Sequence, residues 1–168
     1  MNETVSVISD DEYRKVERFI YKEARFADES RYDEWENLLE DDMIYWIPRG
    51  EGDFLPDRDV SILNDNRSRL ATRINQLKTG TRHSQEPRSP MRKIISNLMI
   101  DRISENEYLA HVNFALFEMQ VQSLDEMNIW AGRMEYKLRE SEDDLKMFFK
   151  KVVLINGDHP VPTIAFII

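Results

Sequence analysis

Three histidines, at positions 83, 111 and 159, are the side chains best suited to bind a metal or transfer a proton near neutral pH. An iron site of the two-histidine, one-carboxylate type would need two of them, and their separations show no local ligand spacing. The sequence contains no cysteine, which excludes a disulfide, a thiolate zinc site, a cysteine-ligated iron–sulfur cluster and a cysteine nucleophile. We therefore expect no catalytic, cofactor-binding or metal-binding residue in this chain, with the histidines in structural or surface positions.

Adjacent carboxylates at Asp41 and Asp42 are the other group that could suggest acid–base chemistry. They follow the Leu-Leu pair in "EWENLLEDDMIYWIP" and precede an alternating apolar run. A run of charge where a helix ends is typical of a solvated corner, and we interpret it so. The sequence has no GxSxG, P-loop or HExxH motif.

Length and composition predict one domain, spanning 1–168, because 168 residues with 41% hydrophobic content suffice for one substantial core. The acidic start, and the lack of any apolar run near the roughly 18 residues that span a bilayer, favour a soluble, cytoplasmic protein without membrane contact. A net charge of -9 argues against a nucleic-acid partner.

Charge is unevenly distributed along the chain. Residues 1–42 carry 14 acidic and 6 basic side chains, whereas residues 67–93 carry 8 basic and 1 acidic. Two explanations stay open: two solvated faces, or complementary contacts between subunits. Under the second, Arg73 and Arg82 are candidate interface residues.

Apolar spacing predicts three helices, and these make a helical part of about 9–80. Ser9 and Glu12 have capping-box spacing before a five-turn amphipathic helix that runs to Ala27. "SRYDEW" indicates a second helix with Ser30 as its cap, and its apolar stripe continues through Leu39. "DNRSRLATRINQLKTG" predicts a third, which ends at Gly80.

In the segments expected to form strands, apolar side chains recur at every second position. "DDMIYWIP" predicts a strand that is covered on both faces and ends at Pro48, and "VSIL" a short one. A long-stranded sheet of about 92–168 should follow, as an antiparallel meander with turns at "SENE" and "ESEDD". Its expected strands run over Lys93–Ile103, Tyr108–Gln122, Met127–Arg139 and Leu145–Asn156.

Large apolar side chains are the remaining candidates. Trp35, Tyr45 and Trp46 could line a ligand pocket, but we interpret them as core or interface anchors. The apolar tail "TIAFII", with Phe166 and Ile168, should pack into the core or a subunit interface, and it favours self-association.

Helices followed by a long, bent antiparallel sheet indicate an α+β fold in which the sheet forms a cone with an interior pocket. The sequence also resembles the small (beta) subunit of bacterial aromatic-ring-hydroxylating, Rieske-type dioxygenases. The resemblance covers nearly the whole chain and is carried by "FIYKEARFADESRYDEWENLLEDDMIYWIP", "DNRSRLATRINQLKTG", "RKIISNLMI", "AGRMEYKLRE" and "KKVVLIN". One departure is Lys93, where a histidine or another ring residue is expected before the "ISN" segment.

The resemblance implies a cystatin-like cone of the ketosteroid isomerase and scytalone dehydratase type. It implies a non-catalytic subunit of an enzyme that adds dioxygen to an aromatic ring in aromatic-compound catabolism. This subunit would form a trimer and a three-plus-three hexamer with the large (alpha) subunit. The Rieske cluster and mononuclear iron would lie in the large subunit, with electrons from NADH or NADPH delivered by a reductase.

Two other functions stay open. The first is a free-standing cone-fold dehydratase or isomerase that uses His83 or His111 with a carboxylate inside the pocket. The second is a non-enzymatic, homo-oligomeric binding domain without a large subunit.

Overall fold

The helices come first along the chain and lie against one continuous sheet in a computed structural model that describes residues 7–121, 125–142 and 144–168. The helices are α1 (Asp10–Asp28), α2 (Tyr32–Glu36) and α3 (Arg67–Lys78). The strands are β1 (Leu39–Pro48), β2 (Ser61–Asn66), β3 (Met91–Ser104), β4 (Glu107–Gln120), β5 (Glu126–Ser141) and β6 (Asp144–Leu154).

The predicted capping box begins α1. The Ser9 main-chain N–H donates to Glu12 Oε2 at 2.9 Å, and the Glu12 N–H donates to Ser9 Oγ at 3.3 Å. These bonds satisfy helix donors that would otherwise have no partner. The predicted third helix is also confirmed, with Asn66 Oδ1 accepting from the Arg69 N–H at 3.0 Å and Gly80 at a φ of 68° after the last turn.

The second helix is much shorter than predicted, and Ser30 is not its cap. Ser30 has a φ of 55°, and it is the left-handed residue that ends α1. The Arg31 N–H returns to the Phe26 oxygen at 2.8 Å and the Ser30 N–H to the Ala27 oxygen at 3.2 Å, which is a Schellman ending. The same stretch therefore ends one helix instead of capping the next, and Leu39 already belongs to β1.

The sheet has the order β2-β1-β6-β5-β4-β3, so β3 to β6 form the predicted antiparallel meander. β1 joins it parallel to β6 and antiparallel to β2. The expected strand bounds agree within about two residues, except that Gln122 lies outside the described residues.

Helix α1 contacts both β3 and β6, although two strands separate these in the sheet. The sheet must therefore curl around the helix, which gives the predicted cone. Even-numbered residues from Tyr108 to Glu118 of β4, and Trp130, Met134, Tyr136 and Leu138 of β5, point into the cone and are buried, while the odd-numbered ones between them face outward. Residues 164–168 also enter the cone, each 7% exposed or less, so the expectation that the tail packs into the core is confirmed.

Candidate functional site inside the cone

A carboxylate, Glu23, lies fully buried at the centre of the cone. Its Oε1 accepts hydrogen bonds from Trp35 Nε1 at 2.7 Å and from Lys150 Nζ at 2.6 Å. Its Oε2 accepts from the Tyr136 hydroxyl at 3.2 Å. Helix α1 thus supplies an anion to which α2, β5 and β6 each direct one donor.

The Lys150 ammonium has a second acceptor and an aromatic neighbour. Nζ donates to the main-chain oxygen of Ile168 and lies 5.3 Å from the centre of the Tyr136 ring. The Ile168 N–H donates to the Tyr45 hydroxyl at 3.1 Å. We call Glu23, Trp35, Tyr45, Tyr136 and Lys150 the interior cluster.

Burial and charge act in opposite directions on the ion pair. Burial alone would raise the pKa of Glu23, but the nearby ammonium groups of Lys150 and Lys93 outweigh it and hold the pKa below its ordinary value. Burial lowers the pKa of Lys150 to about 8, against the attraction of Glu23. Both groups are therefore charged at pH 7. Burial also raises the pKa of the Tyr45 and Tyr136 hydroxyls, which keeps both protonated.

A second buried lysine lies near the interior cluster. The Lys93 side chain has no exposed surface, and its Nζ is 3.9 Å from Asp28 Oδ1. Among the described residues, neither of these two atoms has a hydrogen-bond partner. Lys93 thus adds a second buried cation whose charge acts on Glu23.

The interior cluster joins elements of the chain to one another. All three hydrogen bonds to Glu23 come from groups of the same chain, and the cluster residues are 0% exposed. A general acid or base must reach a reacting group within hydrogen-bond distance. In this arrangement residues 164–168 occupy the space next to Lys150.

The histidines lie outside the cone. His111 is on the outer face of β4, with Nδ1 4.0 Å from Glu135 Oε2 and 35% of its side chain exposed. His83 is in an exposed turn, and His159 is exposed beside Asp158. The dehydratase alternative required His83 or His111 inside the pocket with a carboxylate, and the structure brings neither there. In residues 7–121, 125–142 and 144–168, no group of three or more His, Asp or Glu side chains is placed to hold a metal ion.

The aromatic and tail candidates are packed inside the single chain. Trp35, Tyr45, Trp46, Phe166 and Ile168 are each 3% exposed or less. Phe166 packs edge-on against Trp130, with ring centres 5.7 Å apart. That these residues contribute to a subunit interface stays a prediction. Because they are buried within the chain, they would do so by setting the shape of the sheet.

The two arginine candidates differ from each other. Arg73 Nε binds Asp65 Oδ2 at 2.6 Å, with both side chains largely buried. Arg82 is half-buried at the turn before β3, where burial lowers its pKa. Arg73 is therefore engaged within the chain, and its interface role, like that of Arg82, stays a prediction.

Neither Glu23 nor Lys150 stands out in the sequence analysis, although each breaks a regular pattern. Glu23 follows Phe19 and Ile20 by four and three residues, so it falls on the apolar stripe of α1. Lys150 occupies an inward position of β6 before the buried Val152. The pair could have been identified from two signals together: a negative residue on the apolar stripe of α1 and a positive residue at an inward position of β6.

Several apolar side chains on the outer face of the sheet are exposed to solvent. Ile94 of β3 pairs with Ala115 of β4, and the next outward residue of β4, Phe117, pairs with Ile129 of β5. Ile94, Met127 and Ile129 are 60%, 60% and 64% exposed. We call Ile94, Ala115, Phe117, Met127 and Ile129 the outer patch. Contiguous exposed apolar surface of this kind usually marks a contact with another molecule.

A basic groove of about 790 Å³ lies between α1 and the start of β3, at the edge of the sheet. Its lining includes the cations Lys22, Arg25, Arg31 and Arg92, the buried Lys93, and the acidic residues Asp28 and Glu29. Arg92 and Lys93 belong to the basic segment 67–93. The excess of positive charge suits an acidic surface on a partner.

Comparison with known families matches residues 22–158 to the family described as "Ring hydroxylating beta subunit". The chain belongs to this family. The resemblance inferred from the sequence is thereby confirmed.

Relatives of this beta subunit support the same assignment. The chain is 27% identical over 139 residues to the benzene 1,2-dioxygenase subunit beta of Pseudomonas putida, covering 77% of this chain and 73% of the relative. The solved beta subunit of benzoate 1,2-dioxygenase from Burkholderia mallei superposes with a TM-score of 0.74 at 22% identity, over 96% and 99% of the two chains.

The cone fold is also shared outside the oxygenases. A scytalone dehydratase-like protein of Novosphingobium aromaticivorans superposes with a TM-score of 0.66 at 15% identity, covering 91% of each chain. The predicted fold class, an α+β cone of the scytalone dehydratase type, is confirmed. None of the helices in the described residues is long and apolar enough to span a membrane.

Proposed function

We propose that this beta subunit is the structural, non-catalytic small subunit of an oxygenase that adds dioxygen to an aromatic ring. Family membership carries the proposal, and the names of relatives, such as the benzene and benzoate 1,2-dioxygenase subunits, support its substrate class. The closed interior cluster supports its non-catalytic character, because a substrate has no path to Glu23 or Lys150 while residues 164–168 are in place.

The redox centres are proposed to lie in a large alpha subunit. A Rieske cluster needs two cysteines and two histidines, and this sequence has no cysteine. A mononuclear iron site needs histidines that converge, whereas His83, His111 and His159 lie in separate exposed or half-exposed positions. Electrons would come from NADH or NADPH through a reductase, and this dependence supports a cytoplasmic location.

The proposed assembly is a trimer of this subunit within a three-plus-three hexamer. The outer patch offers apolar surface for burial between chains, and the basic groove at the β3 edge offers charge that can orient an acidic partner. Together they make the outer face and the β3 edge of the sheet the proposed contact surface.

The test is to purify the chain alone and together with a Rieske-type large subunit from the same organism. We expect light scattering to give the mass of the hexamer for the pair, iron analysis to give metal only when the large subunit is present, and hydroxylation to require the complex.

Single replacements of His83, His111 and His159 by alanine in the complex serve as controls and should leave turnover near normal. Stoichiometric iron in the lone chain would contradict the proposal. So would a histidine replacement that abolishes turnover while the complex stays assembled.

A further inference from the structure

Residues 164–168 contact the cone in the way a bound peptide contacts a receptor. The segment is neither helix nor strand, and its side chains are almost completely buried. Phe166 packs edge-on against Trp130 of β5. The polar contacts at Ile168 go to two side chains, the Tyr45 hydroxyl and the Lys150 ammonium, and these lie on different strands.

The connection to the rest of the chain is exposed. β6 ends at Leu154, and Gly157 then packs against Gly50, where a Cβ on Gly157 would lie 2.7 Å from the Gly50 nitrogen. Beyond this contact Asp158, His159 and Pro160 are exposed, and the chain is buried again only at Ile164. A surface linker therefore joins a completed sheet to a separate apolar insert.

The surroundings of the insert have the composition of a ligand site. Sites for small molecules and short peptides combine apolar walls with a few convergent polar groups. Here Trp130 is a buried wall residue against Phe166, while Tyr45 accepts from the main-chain N–H of Ile168 and Lys150 donates to the main-chain oxygen of the same residue. Without the insert, Lys150 would keep Glu23 as an acceptor and would lose its second one.

We propose that the interior of the cone is a binding site for a short apolar peptide and that residues 164–168 are its tethered ligand. The aromatic ring at Phe166 is the anchor, and the main-chain N–H and oxygen of Ile168 are the polar groups that Tyr45 and Lys150 recognise. The segment is exchangeable: a free peptide of the same sequence takes its place once the link to β6 is cut. This inference does not depend on the proposed oxygenase function.

The test uses the full chain, folded before it is cut. A protease recognition sequence is inserted between Asp158 and His159, in the exposed linker, and the folded protein is cleaved. A fluorescent peptide with the sequence of residues 159–168 is then added, and fluorescence anisotropy follows its binding. Mass spectrometry follows release of the original segment.

We expect the cleaved protein to keep its near-UV circular dichroism and to exchange its segment for the labelled peptide in a saturable manner. An unlabelled peptide should compete, whereas a peptide carrying Phe166→Asp should not, because a carboxylate cannot replace the ring against Trp130. The Tyr45→Phe protein should bind the peptide roughly two- to tenfold more weakly, the range for one neutral hydrogen bond.

Three results would overturn the inference. Loss of the folded spectrum on cleavage would make the segment an integral part of the core. Retention of the original segment over days, without exchange, would do the same. Equal binding of the Phe166→Asp peptide would show non-specific adsorption.

Discussion

The inside of the cone and the outside of its sheet reverse the usual placement of side chains. Inside, Glu23 and Lys150 form an ion pair with no exposed surface. Outside, Met127 and Ile129 have more than half of their surface exposed, at 60% and 64%. Buried charge and exposed apolar surface each cost free energy in a single chain unless something compensates.

The compensation differs between the two regions. Inside, it comes from the same chain, since Trp35, Tyr136 and Ile168 satisfy the ion pair. Outside, the described residues of one chain leave the outer patch uncovered. The interior polar groups are thus satisfied within the chain, whereas we propose that a partner covers the outer face.

The largest expected effect is on the interior. Replacing Glu23 with Gln leaves Lys150 as a buried cation without a counter-charge, and breaking a buried pair in this way typically costs about 3–5 kcal/mol. Urea unfolding of the isolated chain should show this loss in the free energy of unfolding.

Two controls sharpen this prediction. The double variant Glu23→Gln, Lys150→Met should recover much of the loss, because no unpaired charge remains. Asp144→Asn, which breaks the more exposed pair with Lys22, should cost about 1 kcal/mol or less. Equal losses of unfolding free energy for Glu23→Gln and Asp144→Asn would contradict the expected difference between the buried ion pair and the more exposed one.

The next effect is on assembly. Ile129→Asp places a charge in the outer patch and should leave the single chain folded while weakening association. Burying an isoleucine is worth about 1.5–3 kcal/mol, so the dissociation constant should rise roughly tenfold to a hundredfold or more. Analytical ultracentrifugation measures it. Asn113→Asp adds the same charge to an exposed position of the same face outside the outer patch, and it should change assembly little.

A smaller effect concerns acid stability. The ammonium groups near Glu23 lower its pKa in the folded chain, so its contribution is fully present above the ordinary value of 4.5 and is lost as pH falls through the lower folded value. Unfolding free energy of the wild type should therefore fall more steeply below pH 4.5 than that of Glu23→Gln, by up to about 1.4 kcal/mol per pH unit. Parallel acid profiles of the two proteins would contradict the assigned charge state.

The smallest effect is kinetic. Arg92→Glu in the basic groove should slow association with the large subunit at low salt, and the difference should shrink as salt is added. Stopped-flow measurements over a salt series test this. Arg58→Glu, an exposed change in the loop between β1 and β2, is the matched control. Equal slowing by both variants would show that the groove is an ordinary solvated surface and not a contact site.

The sequence predicts most of the fold because its periodic patterns are long. The capping box at Ser9, the stop at Gly80 and the four meander strands lie where spacing places them. Ser30 is the exception, since one serine can cap a following helix or end a preceding one, and only the path of the chain decides.

The interior cluster is harder to predict than the fold. Glu23 and Lys150 are 127 residues apart, and each alone resembles an ordinary surface charge. Their pairing depends on how far the sheet curls around α1, which no local pattern contains. The tail was predictable as buried from its lack of charge, but its contact with Lys150 was not.

The outer face provides the most direct test of the account. Met127 is 60% exposed in the single chain, whereas Met134 on the same strand is 0% exposed. Peroxide oxidation of the active, assembled oxygenase, read by mass spectrometry with the urea-unfolded chain as reference, compares the two methionines. The account predicts that Met127 oxidises as slowly as Met134, because a neighbouring chain covers it. Oxidation of Met127 in the complex at a rate near that of the unfolded reference would contradict the account.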